Sequence, residues 1–372
     1  MSDVAPARVG ILIDTFRDAE HPYSEDMLPV FQLVADEFAA EGRLERPVDF
    51  VVRTALGLPK GSFRAVRDAF HELVEGGCLV VFGPLVSENG EPLRPYVEDL
   101  AEVPIISMAG TETMLGEWVF ALNNGSMPEE PRIMAAVATY DGCRTVGIVQ
   151  EASLIGDEYV RSMRAACREY GLRVTGEVAI PQVEAGKRAA MEELAREKPD
   201  AIMHVGFGLG LFGINEALQE LGWAPRRYTT TAFEFASHDP QARRLLAGWI
   251  GLDSYDERNT VGQQFLDRYE ARHGRRPASF LTLYHYDMAR VIMTALSDAR
   301  PLTGRGVKEA LERIKMLPAA SGAPGTRLRF GRYLRQGWMG SEYLVARRVL
   351  DDGSATVIHG TIEGLVTPTG PR

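Results

Sequence analysis

The stretch SFRAVRDAFHELVEGGCLVVFG, residues 62–83, decides the fold. Ser62 is placed to cap a helix, Phe63, Val66, Phe70, Leu73 and Val74 recur at helical spacing, and Gly76–Gly77 supplies a left-handed stop. The run that follows, CLVVFG, is apolar almost throughout, which predicts a strand covered on both faces rather than one half-open to water. A helix feeding such a strand is half of a βαβ unit.

Outward from this unit the same alternation continues. VDFVVR precedes the helix, and RVGILID, from residue 8, precedes an amphipathic stretch reaching Ala40. Downstream, VPIIS (103–107) ends a first array, and EWVFALNNGS crosses to a second one built on TVGIVQ, RVTGEVAI, DAIMHVGF and RYTTTAF. After GWIGLDSYD (248–256) come the helical patterns ERNTVGQQFLDRYEARHG, ASFLTLYHYDMARVIMTALSDA and GRGVKEALERIKML. The tail reads as short strands, RLRFGR, GSEYLVARRVL and SATVIHG, the last two joined by the turn Asp351-Asp352-Gly353. Two α/β arrays, then helices, then strands predict a chain that passes between two lobes more than once.

Composition narrows the function classes. The 372 residues suffice for two or three domains at roughly 100–200 residues each. With 51 acidic against 41 basic residues the net charge is −10, so no basic surface is available for nucleic acid. No stretch approaches the ~18 apolar residues of a membrane span, so membrane insertion is not expected. The opening MSDVAPA has neither a basic nor an apolar run, and as written it reads as the start of a cytoplasmic protein, the alternative being a periplasmic or cell-surface one whose export signal has been removed. Cys78, Cys143 and Cys167 are odd in number and widely spaced; they make no disulfide framework and no zinc ligand set, and each reads as a small buried hydrophobe.

In open α/β sheets ligands bind beyond the carboxyl ends of the strands. Those loops here are DTFRDAEHPYSE, GPLVSENGE, SMAGTET, QEASLIGDE, GFGLGLFG and AFEFASHD. Ser87 and Thr111 sit beside glycines just ahead of helical stretches, where a hydroxyl either holds a small polar group or caps the helix. Glu234 follows an apolar strand between two phenylalanines, and a buried carboxylate needs a partner: a ligand ammonium or amide, a protein arginine, or backbone amides. GLGLFG, Gly208 to Gly213, formally satisfies G-x-G-x-x-G and admits an NAD reading, but it follows the third strand of its array instead of opening a domain. No nucleophile elbow, P-loop or H-E-x-x-H is present, and the seven histidines show no ligand spacing; His285 reads as a packing or surface residue. Neither a metal nor a cofactor is expected.

The order VGILID, CLVVFGPLVSE, VPIISMAGT, TVGIVQEASLIGDEYVRSMRAACREYGLRVTGEVAI, PDAIMHVGFG, YTTTAFEF and LYHYDMARVIMTAL resembles the type I periplasmic binding proteins. More closely, it is similar to the branched-chain amino acid and amide-binding group, over about residues 8 to 360. The resemblance implies two doubly wound parallel-sheet lobes joined by three crossovers with a ligand cleft between them, one lobe formed by 1–121 and 254–329, the other by 122–253 and 330–372. It places ligand contacts on Ser87, Ala109, Gly110 and Thr111 of the first lobe, on Glu234 of the second as the acid that receives a ligand ammonium, and on Tyr23 in the first loop. Two positions depart from the family pattern, Ile155 and Leu209 standing where aromatic residues are common, which makes the pocket more apolar. The ligand so implied is a small molecule with a polar end and a larger apolar body, an amino acid, amide or aromatic acid. Binding without catalysis serves either an ABC-type uptake system, with a permease as partner, or a cytoplasmic sensor of the amide-responsive type, with a regulatory protein as partner. A homodimer is compatible with both, and an NAD-dependent enzyme is the third reading.

Overall fold

Residues 62–83 fold as their sequence predicts. In the computed structural model, which describes residues 5–15, 25–58, 60–181, 187–208, 210–234, 239–279 and 281–360, Ser62 Oγ accepts a hydrogen bond from Ala65 N at 3.2 Å and opens the helix Phe63–Glu75. Val66, Ala69, Phe70 and Leu73 are its buried side. Gly77 takes the left-handed conformation that ends it, φ 77°, which a side chain would strain. The chain then enters β3 (Val80–Phe82), buried throughout. Each buried Val, Leu or Phe contributes roughly 1.5–3 kcal/mol relative to exposure.

Around β3 the first unit builds a five-stranded parallel sheet with β1 (Ala7–Thr15), β2 (Val48–Leu56), β4 (Ile105–Ser107) and β5 (Val119–Ala121), in the order β2-β1-β3-β4-β5. One face carries Val81, Ile105 and Val119 against Phe70, Leu73, Leu93 and Val97. The other carries Phe82, whose ring lies 5.2 Å from Phe31 of the helix Met27–Ala40 and 6.0 Å from His285 of the helix Leu281–Asp298. His285 is thus a packing residue, buried and held neutral by desolvation that pushes it down to about 4.

The second unit has a seven-stranded sheet. Five of its strands, β6 (Thr145–Glu151), β7 (Arg173–Ile180), β8 (Ala201–Val205), β9 (Arg226–Thr229) and β10 (Ile250–Asp253), run parallel in the order β10-β9-β8-β6-β7, with β7 at the edge. Of the tail strands, β11 (Val345–Val349) pairs antiparallel with β10, and β12 (Thr356–Gly360) pairs antiparallel with β11 through the expected turn, in which Gly353 N donates to Leu350 O at 2.8 Å. RYTTTAF is strand only as far as Thr229. Thr230 Oγ1 accepts from Ala232 N, and Thr231–Phe233 turn as a 3-10 helix, so Glu234 closes a turn and does not end a strand. All three cysteines are buried.

The compact units comprise 1–124 with 257–340, and 125–256 with 341–372, so the chain passes from one to the other three times. Residues 330–340 therefore belong with the first unit and not, as the resemblance suggested, with the second. The reason is packing: the Phe330 ring meets Phe120 edge-on at 5.4 Å, Gln336 bridges to Ala121, and Trp338 Nε1 donates to Asn123 O at 3.0 Å.

Candidate functional site

The first unit gathers its candidate residues at the carboxyl ends of β3 and β4. After Phe82 the backbone turns at Gly83, φ 107°, where a Cβ would lie 2.4 Å from Leu12 O, so only glycine fits. Asp14, at the end of β1, shapes the next residues: its carboxylate accepts from Leu85 N (2.5 Å), Val86 N (3.1 Å) and Asn89 Nδ2 (2.9 Å). Burial pushes the Asp14 carboxyl up to about 7, and these three hydrogen bonds pull against that rise. With the loop so fixed, Ser87 begins the helix Ser87–Tyr96. Val86 occupies the capping position and no side chain caps the helix, so the cap reading of Ser87 does not hold. Ser87 Oγ instead accepts from Thr111 N at 3.3 Å.

The partner loop is held from within. Ser107 Oγ donates to Pro84 O (2.6 Å) and accepts from Ala109 N (3.0 Å), tying the β4 loop to the β3 loop. The Thr111 hydroxyl pairs with Thr113 Oγ1 at 2.8 Å. Ser87, Ala109 and Thr111 are buried and Gly110 is half-buried, so four of the expected contacts come together in two cross-linked loops. Beside them Asn123, fully buried after β5, has both amide atoms without a hydrogen-bond partner among the described residues, a condition that costs about 1–3 kcal/mol. Tyr23 lies outside the described residues.

In the second unit the candidates stand on loops beyond β6, β8 and β9, neighbours in the sheet. Ile155 is buried in the first turn of the helix Leu154–Glu169, which Ser153 caps through Gly156 N at 3.1 Å. Glu234 is 6% exposed. The turn that carries it hangs on Glu130, whose carboxylate accepts from Thr231 N (2.6 Å), Ser126 N (2.9 Å) and the Tyr159 hydroxyl. Burial raises the Glu130 carboxyl to about 7. Leu209 lies outside the described residues, but its neighbours are anchored: Glu151, at the end of β6, accepts from Phe207 N (3.1 Å) and Gly210 N (2.7 Å). Glu151 also meets His204 Nε2 at 3.2 Å, while His204 Nδ1 meets Thr229 Oγ1 at 2.9 Å. Because a carboxylate accepts, Nε2 is the ring nitrogen that donates to Glu151.

Asp14, Glu130 and Glu151 escaped the sequence reading, although Asp14 and Glu151 carry the same signal that singled out Glu234, a carboxylate closing an apolar strand. Each spends its acceptor capacity on backbone amides of a strand-end loop. The first unit's loops carry hydroxyls and amides that suit a small polar group, and the second unit's Glu234 turn carries one further buried carboxylate. Among the described residues no cluster of His, Cys, Asp or Glu is placed to hold a metal ion.

The sequence model of the family described as "Periplasmic binding protein" matches residues 6–341. No curated protein matches the chain. Among solved structures, the fold is similar to a leucine-binding protein from Thermotoga maritima, with a TM-score of 0.78 at 15% identity, covering 95% of this chain and 98% of that one. It is also similar to the branched-chain amino acid transporter substrate-binding protein of Streptococcus pneumoniae solved with isoleucine, with a TM-score of 0.75 at 16% identity, covering 95% and 99%. A solute-binding protein of an ABC transporter from R. palustris, solved with benzoate, gives a TM-score of 0.75 at 15% identity over 96% of each chain.

Proposed function

The chain belongs to the periplasmic binding protein family, and from that premise we propose that it is the solute-binding component of an ABC-type uptake system for a small ligand with a polar end and a partly apolar body. The family corrects the cytoplasmic placement read from MSDVAPA, since its members are periplasmic. The first residues of a sequence do not report the compartment in which a processed chain works. The sensor reading drew on that placement and loses that support.

In this proposal the ligand is an amino acid, an amide or an aromatic acid, bound and released unchanged. The observation that carries it is the link from Thr111 N to Ser87 Oγ, which joins two strand-end loops whose hydroxyls and amides suit a carboxylate or amide end. Buried Ile155 supports an apolar body, and the similar proteins solved with isoleucine and with benzoate bracket the ligand class. Glu234 decides within that class: it favours an ammonium-bearing ligand and opposes a simple aryl acid, because two carboxylates repel.

Isothermal titration of leucine, isoleucine, phenylalanine, their amides and benzoate tests the reading. Binding of an amino acid that Glu234→Gln weakens identifies an amino-acid site, and binding of benzoate that Glu234→Gln leaves intact or tightens identifies an acid site. Absence of binding by the whole panel contradicts the ligand class.

A further inference from the structure

The outer side of the helix Phe63–Glu75 is a charge palindrome. With Val66, Ala69, Phe70 and Leu73 turned inward, Arg64, Asp68, His71 and Glu75 form one exposed stripe, at spacings of four, three and four residues. Arg64 and Glu75 are equidistant from the midpoint between Ala69 and Phe70, as are Asp68 and His71, and, beside the stripe, Arg67 and Glu72. Every mirrored pair joins a basic residue to an acidic one. Two such helices set antiparallel about a two-fold axis at that midpoint bring each basic side chain against the acid of the other copy.

An apolar groove flanks the stripe. It lies between this helix and the turn Val97–Ala101, has a volume of about 550 Å³, and is lined by Phe70, Val74, Tyr96, Leu100 and Ala101, with the stripe's Asp68 and His71 and their neighbours Arg67 and Glu72 along its helix edge. Leu100 on its rim is 74% exposed, which is unusual for a leucine beside an apolar hollow. Symmetry relates the two features. An axis lying in the plane of contact and perpendicular to the helix reverses the helix direction but keeps its flanks on the same side. Leu100 of one copy is thereby carried to the groove of the other.

The charges are available for this exchange. Within one chain Arg64 pairs with Asp68 (3.5 Å), Arg67 with Asp68 (2.7 Å), Arg53 with Glu72 (2.7 Å) and His71 with Glu75 (3.4 Å). All are exposed pairs worth little on their own, so replacing them with pairs across a partly desolvated contact costs little.

We propose that this face is a homodimer interface, in which a second copy of the chain pairs its 63–75 helix antiparallel to the first and each Leu100 enters the other copy's groove. The proposal is independent of which ligand the protein binds. Sedimentation equilibrium of the full chain over roughly 1 μM to 1 mM, the range from moderate to weak affinity, is expected to show reversible dimerisation that weakens with salt. Leu100→Glu is expected to leave a monomer with an unchanged melting temperature. Arg64→Glu or Glu75→Arg alone sets like charges opposite each other and is expected to weaken the dimer about tenfold, while the double reversal Arg64→Glu/Glu75→Arg restores it. A monomer throughout the concentration range overturns the proposal, as does a dimer indifferent to Leu100→Glu, or one that the double reversal fails to restore.

Discussion

Ser87 shows how a residue's role is set by what surrounds it. Its sequence position suited a helix cap equally well, and only the cross-loop hydrogen bond from Thr111 N separates the two uses. Asp14 shows the same at higher stakes, because its carboxylate is the acceptor for Leu85 N, Val86 N and the Asn89 amide in a buried place. Asp14→Ala leaves three donors without an acceptor and is expected to destabilise the protein by about 3 kcal/mol, measurable by urea unfolding. It is also expected to weaken ligand binding through the misplaced β3 loop. An unfolding midpoint equal to that of the parent refutes this role. At this scale the sequence was partly legible. Ser87, Ala109, Gly110 and Thr111 stand together as expected, whereas Asp14, Glu130 and Glu151 were passed over because what marks them is burial and the direction of backbone amides, which only the folded chain creates.

Among the elements, the helices and central strands were legible because their signals are local: a capping Ser62, apolar spacing, a glycine stop. Strand ends were less so. TTT in RYTTTAF has the β-branched composition of a strand, yet Thr230 bends the chain by hydrogen-bonding its own backbone, a competition that composition does not reveal. The assignment of residues 330–340 to a unit depended on contacts with Phe120 and Asn123 some two hundred positions earlier, beyond any local pattern. One cap holds more than its own helix. Asn259 Oδ1 accepts from Val261 N (3.1 Å) and Gly262 N (3.4 Å), opening the helix Thr260–His273. Its Nδ2 reaches the carbonyls of the 319–322 segment, among them Ala320 at 3.0 Å and Gly322 at 3.0 Å. Asn259→Asp keeps the cap but loses the donor, whereas Asn259→Ala loses both. The expected costs are about 1 kcal/mol and about 2–3 kcal/mol, and equal melting temperatures for the two variants would show that the amide does not staple the segment.

For the whole molecule, buried acids set the pH dependence. Burial raises Asp14 and Glu130 to about 7 and Asp287 to about 6, against about 4 in an unfolded chain. Between those limits the three acids keep protons that the unfolded state has released, and together they outweigh His285, which is held at about 4 and works the other way, so stability falls as pH rises from about 4 to about 7. Below that window the opposite holds, because Asp26, Asp141 and Glu312 are held low by Arg275, by His359 and Tyr228, and by Lys308 and Arg335, and their protonation removes stability. Thermal melts are expected to show a higher transition at pH 5 than at pH 8, and the reverse order would mean that the three raised acids stay charged in the fold.

A ligand at 100 times its dissociation constant raises native stability by about 2.7 kcal/mol, which makes thermal shift a fast way to find it. The proposed function rests on ligand contacts by Ser87 and by Glu234. The most direct test is titration of the best ligand so found into the parent, Ser87→Ala and Glu234→Ala proteins. The expected result is about a fivefold loss for Ser87→Ala, one hydrogen bond, and at least a thirtyfold change for Glu234→Ala, a buried charge. Unchanged affinity in both variants, with their folds intact, would contradict the account.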